Sequence, residues 1–111
     1  MAYADTGYSF PIRVFPEAQA ARLLSELRRS EALLGGPLKG RMNQKPHLLF
    51  PWMDQLVRHP AVLDAVESVI GPDIFCWASQ FFIKDAGAAA FVRWHQDGNY
   101  WGLPSAQLVT A

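Results

Sequence analysis

The sequence predicts an α+β domain in which helices come first and strands follow. Two observations carry this. Apolar residues recur at helical spacing as far as about residue 72, and from about residue 74 the spacing turns toward that of strands. Eight of the fourteen aromatic residues also fall between Phe75 and Trp101, a composition that favours pleated, half-buried surfaces.

The first helix opens after an apolar lead (8–15). Pro16 is suited to a helix start, and Ala20, Leu23, Leu24, Leu27 and Leu34 form an apolar stripe among Glu17, Arg22, Glu26 and Arg28. Gly35-Gly36-Pro37 ends it, because glycine accepts a left-handed cap and proline cannot continue the ladder. A loop to about Pro46 holds Lys39, Arg41 and Lys45. Residues 51–59 predict a short helix. Pro60 then opens another, with Leu63, Val66, Val69 and Ile70 on one face and Gly71-Pro72 as its stop.

Three strands are expected at 74–84, 91–97 and 106–111, separated by Asp85-Ala86-Gly87 and by a loop at 98–104. The last run, Gln107-Leu108-Val109-Thr110, reaches the end of the sequence with no turn behind it. The 111 residues therefore read as one incomplete domain, 1–72 mainly helical and 73–111 the first strands of a sheet.

Ten basic and ten acidic residues cancel, and no basic run exceeds Arg28-Arg29. That leaves no electrostatic footprint for nucleic acid or an anionic membrane. No window approaches the roughly 18 apolar residues of a membrane span, and the N-terminus lacks the pattern of an export signal. A single cysteine, Cys76, excludes an intrachain disulfide and fits a reducing compartment, so a cytoplasmic location is expected. Cys76 and Trp77 are expected in the core.

The chemistry lies at His95-Gln96-Asp97. In a strand, residues two apart share a face, so His95 and Asp97 project together as a two-point metal clamp while Gln96 points away. An imidazole and a carboxylate are two members of the 2-His-1-carboxylate triad of non-heme iron oxygenases. A lone His-x-Asp is weak, because chance alone supplies one in roughly one such sequence in seven.

The surrounding sequence is more specific. Trp94-His95-Gln96-Asp97 and Tyr100-Trp101-Gly102-Leu103 resemble the signature of bacterial phytanoyl-CoA dioxygenase-like proteins. So do Lys45-Pro46-His47-Leu48-Leu49-Phe50-Pro51, Arg58-His59-Pro60, Gly71-Pro72-Asp73-Ile74 and Phe81-Phe82-Ile83-Lys84. The resemblance covers nearly the whole chain and implies the N-terminal part of that family's double-stranded β-helix, a jelly-roll-like barrel with helices outside.

It further implies Fe(II), 2-oxoglutarate as cosubstrate, O₂, and hydroxylation of a small molecule. His95 and Asp97 match the proximal iron ligands. Lys45, Phe81 and Tyr100 fall near the cosubstrate's place, and Trp101 near the substrate's. Asp97 favours a hydroxylase, since related halogenases carry a small residue there. The distal histidine, and the arginine that clamps 2-oxoglutarate after it, have no counterpart before Ala111. His47 lies in a loop before the strands, and His59 precedes Pro60 where capping is the expected role. The expected protein is thus an enzyme fragment, inactive alone; the alternative is a short, non-catalytic interaction module using an exposed strand edge.

Overall fold

The structure, a computed structural model, describes residues 3–103 and 107–111. The elements are α1 (Tyr3–Thr6), α2 (Glu17–Leu34), α3 (Pro51–Val57) and α4 (Pro60–Ile70), with 3₁₀ turns at Gly40–Asn43, Pro46–Leu48 and Asp97–Asn99.

α2 begins where Pro16, with ψ 153°, turns into the helix and its carbonyl accepts the Ala20 N–H. It ends at Gly35, whose φ of 74° is the left-handed conformation that glycine adopts freely. The N–H of Gly35 then bonds to the Ala32 carbonyl and that of Gly36 to the Glu31 carbonyl. The expected stripe is only partly covered: Leu23 and Leu27 are half-buried, but Leu24 and Leu34 are exposed.

The buried centre is small and lies between α2, α3 and the loop joining them. Leu38, Pro46 and Met53 are buried there beside Ser30 and His47. Ser30 couples two helices, accepting the Trp52 indole N–H at 3.1 Å while donating to the Glu26 carbonyl at 2.8 Å. Buried polar groups need such partners, because an unmet one costs about 1–3 kcal/mol.

Pro60 occupies the first turn of α4, where its missing N–H is no loss. His59 caps the helix as expected: its Nδ1 accepts the Ala61 N–H at 3.3 Å, and its ring stands edge-on to Phe15 at 4.7 Å. Leu63, Val66, Val69 and Ile70 are all half-buried.

Residues 74–96 run without regular secondary structure, and no strand forms among the described residues. The strand-like alternation is nevertheless expressed in one stretch, where positions 77, 79 and 81 meet the loop that follows α2. The Lys45 ammonium sits 4.6 Å over the Trp77 ring, the Lys45 N–H bonds to the Ser79 carbonyl, and the Asn43 amide both accepts from the Phe81 N–H and donates to its carbonyl. Asn43 thus gives Phe81 the two bonds a neighbouring strand would give. Elsewhere no second strand lies alongside among the described residues, and two-stranded ribbons are marginal in water.

Phe82, Phe91 and Trp94 consequently stand exposed, Trp94 completely. Cys76 and Trp77 are exposed too, which corrects their placement in the core: no sheet lies across them. The radius of gyration, 15.4 Å, exceeds the roughly 13 Å of a compact domain of this length.

Candidate functional site

Gln96 is extended, with φ −118° and ψ 123°, so its neighbours project to one side as their spacing requires. His95 Nε2 and Asp97 Oδ1 lie 3.1 Å apart. The other ring nitrogen of His95 donates to the Arg93 carbonyl at 2.7 Å. The other carboxylate oxygen, Oδ2, accepts the Thr110 hydroxyl at 2.6 Å. Asp97 also starts the 3₁₀ turn Asp97–Asn99, which brings the Tyr100 ring edge-on to His95 at 6.2 Å.

This arrangement favours a cation between the two side chains. With its proton on Nδ1, held by Arg93, a neutral imidazole turns a lone pair on Nε2 toward a carboxylate oxygen. Two lone pairs at 3.1 Å are stable only with a positive centre between them, a proton or a metal ion. The Arg93 carbonyl pushes the His95 pKa above the ordinary histidine value; partial desolvation works against this, and the charge and hydrogen bond of Asp97 add to the rise.

The donor set also fits a divalent metal ion. An imidazole nitrogen and a carboxylate oxygen 3.1 Å apart are close enough for one ion to be held by both, and these are the donor types that such ions take. A backbone carbonyl on the far ring nitrogen is the usual support for a ligating histidine. Among the described residues no three His, Cys, Asp or Glu side chains gather around one point, so the clamp is two-pronged. His59 is engaged at the start of α4 and His47 is bonded to Ser79 at 2.6 Å.

The clamp opens onto a cavity of about 1070 Å³, walled on one side by Val66 and Val69 of α4 and on another by Tyr8 and Ile12 of the N-terminal lead. Tyr100 and Trp101 follow the clamp outside this wall. Lys45 and Phe81 belong to the other cluster, Lys45 over Trp77 and Phe81 6.0 Å from the Trp52 ring. The structure therefore brings Tyr100 to His95 and sets Lys45 and Phe81 with the core. Thr110 and the Arg93 carbonyl went unforeseen in the sequence: a threonine thirteen residues after Asp97 carries no signature, and a carbonyl carries none anywhere.

Sequence comparison supports a distant family link to dioxygenases. The relatives are ectoine dioxygenases from Bordetella parapertussis and Bordetella bronchiseptica, each 25% identical over 124 aligned positions. The alignment takes in 98% of this chain, which spans about 40% of the length of either relative. No protein-family model and no solved structure matches the chain. No helix among the described residues is long and apolar enough to cross a membrane.

Proposed function

We propose that this chain is the metal-clamp portion of an Fe(II)- and 2-oxoglutarate-dependent dioxygenase, akin to the phytanoyl-CoA dioxygenase family, that hydroxylates a small molecule. The observation that carries the reading is the 3.1 Å approach of His95 Nε2 to Asp97 Oδ1 across one extended residue, with Arg93 holding the ring from behind. The distant similarity to ectoine dioxygenases supports the same class. The proposal includes the fold: 74–84, 91–97 and 106–111 become strands of a double-stranded β-helix when further strands lie beside them. The first residue of the third, Ala106, falls outside the described residues.

In this reading His95 and Asp97 hold the iron, which when bound supplies oxidation of a C–H bond by O₂ coupled to decarboxylation of 2-oxoglutarate. The Arg93 carbonyl fixes the ring tautomer so that Nε2 offers its lone pair. Val66 and Val69 give the cavity an apolar wall suited to a hydrocarbon part of a substrate. Two donors do not complete a triad, so these 111 residues alone are inactive, and the third ligand and the 2-oxoglutarate clamp come from elsewhere in a longer protein.

The test is to read the coding frame past codon 111 and express the protein it encodes. The reading expects a further histidine followed by an arginine, and succinate formed from 2-oxoglutarate with Fe(II) by the wild type but not by His95→Ala. A stop codon directly after Ala111 contradicts it.

A second reading, a non-catalytic module that pairs through its extended segments, is favoured by the complete exposure of Trp94 and the bareness of Phe82 and Phe91. It requires a soluble oligomer of defined size from the 111-residue chain. Aggregation on purification would rule that out.

A further inference from the structure

We propose that Thr110 is a positioning residue for the metal clamp, one that holds Asp97 in a single-oxygen ligation mode by occupying its other oxygen. This role rests on the reading of His95 and Asp97 as metal ligands.

The Thr110 hydroxyl donates to Asp97 Oδ2 at 2.6 Å, the short distance of a hydrogen bond to a charged acceptor. Asp97 Oδ1 faces His95 Nε2. The carboxylate thus has one oxygen committed to each neighbour. Left alone, the terminal torsion of an aspartate is broad and two-fold, so either oxygen could turn toward the ring. Carboxylates also bind cations through both oxygens where nothing prevents it. With Oδ2 held by a hydroxyl, chelation through both is disfavoured and one more coordination position stays open for an exogenous ligand.

One further contact brings Thr110 to this place. Leu108, two residues earlier, packs so close to Gly98 that a Cβ there would lie 3.3 Å from its Cδ1. Gly98 immediately follows Asp97, so 107–111 is laid against the clamp at two points. Leu108, Val109 and Thr110 all line the same cavity as His95 and Asp97. Threonine supplies the donor, and its exposed position makes the isosteric Thr110→Val change mild for folding.

The experiment titrates Mn²⁺ into the 111-residue chain and follows water-proton relaxation, which reports both affinity and the number of metal-bound waters. Wild type, Thr110→Val, Thr110→Ser and His95→Ala are compared, with circular dichroism confirming equal helix content. Thr110→Val is expected to weaken Mn²⁺ binding about tenfold, the lower end for loss of a ligand's supporting partner, and to retain fewer waters on the ion. Thr110→Ser, which keeps the hydroxyl, is expected to restore both. Wild-type affinity and hydration in Thr110→Val overturn the role of Thr110 while leaving the clamp intact. Wild-type Mn²⁺ binding no better than that of His95→Ala overturns the clamp itself, and this role with it.

Discussion

The side chains of His47 and Ser79 meet at 2.6 Å across 32 residues of chain, tying the loop before α3 to the extended segment beyond α4. His47 is buried, and the same hydroxyl accepts its backbone N–H at 3.4 Å.

Ser79→Ala therefore removes a partner from a buried imidazole and is expected to destabilise the chain by about 1–3 kcal/mol. Urea unfolding followed by circular dichroism measures this. A midpoint equal to that of the wild type would show that water replaces the hydroxyl at no cost.

Asn43 predicts a local effect. Its amide makes both hydrogen bonds of the Phe81 backbone, at 2.8 and 3.0 Å. Asn43→Ala should raise hydrogen exchange at the Phe81 amide by about tenfold, the equivalent of roughly 1.4 kcal/mol for one net bond. An unchanged rate would mean that the clasp is already open in solution.

Cys76 gives a pH dependence. Although the residue as a whole is exposed, desolvation of its sulfur pushes the thiol pKa above the ordinary value, while Arg58 and Lys45 draw it back and Asp54 adds to the rise. A raised pKa means less thiolate at a given pH, and the thiolate is the nucleophile. Alkylation by iodoacetamide at pH 8 should be slower than for a cysteine in an unstructured peptide, with its rise displaced to higher pH. Arg58→Ala removes a positive neighbour and should displace it further; a shift toward lower pH would contradict the assignment.

Gly98 tests how 107–111 is seated. A Cβ at 98 would approach Leu108 Cδ1 to 3.3 Å, a contact the flexible leucine end can relieve, so Gly98→Ala should be tolerated. Gly98→Val adds bulk that it cannot, and should remove the proximity of Thr110 to Asp97 seen as nuclear Overhauser contacts between their side-chain and backbone protons. Retention of those contacts would show that Leu108 does not fix the segment.

What was legible in the sequence followed from locality. α2 and α4 form where the 3.6-residue period and the stops at Gly35 and Gly71 put them, and α3 lies within the expected 51–59 but ends at Val57, because each is decided by residues within a few turns. His59 as a cap was readable for the same reason. The short α1, the 3₁₀ turns and the Asn43 clasp on Phe81 were not: the first two depend on weak single-turn preferences, and the clasp joins residues 38 apart. The expected strands need partners, and among the described residues no strand lies beside them, so Phe82 and Trp94 remain bare.

The site divides the same way. The common side of His95 and Asp97 is a two-residue property and was visible in the tripeptide. Tyr100 reaches His95 through the single turn between them. Lys45 and Phe81 lie with the core cluster because the loop contacts of Trp77 and Ser79 determine their surroundings, and no local spacing encodes that.

In the proposed function His95 and Asp97 together hold a divalent cation. The most direct test is Mn²⁺ binding to the 111-residue chain, by the electron paramagnetic resonance signal of the free ion, in wild type, His95→Ala and Asp97→Ala. Weak, saturable binding by the wild type that disappears in both variants is the expected result. Binding that survives both substitutions, or a wild type that takes up no Mn²⁺ at all, would contradict it.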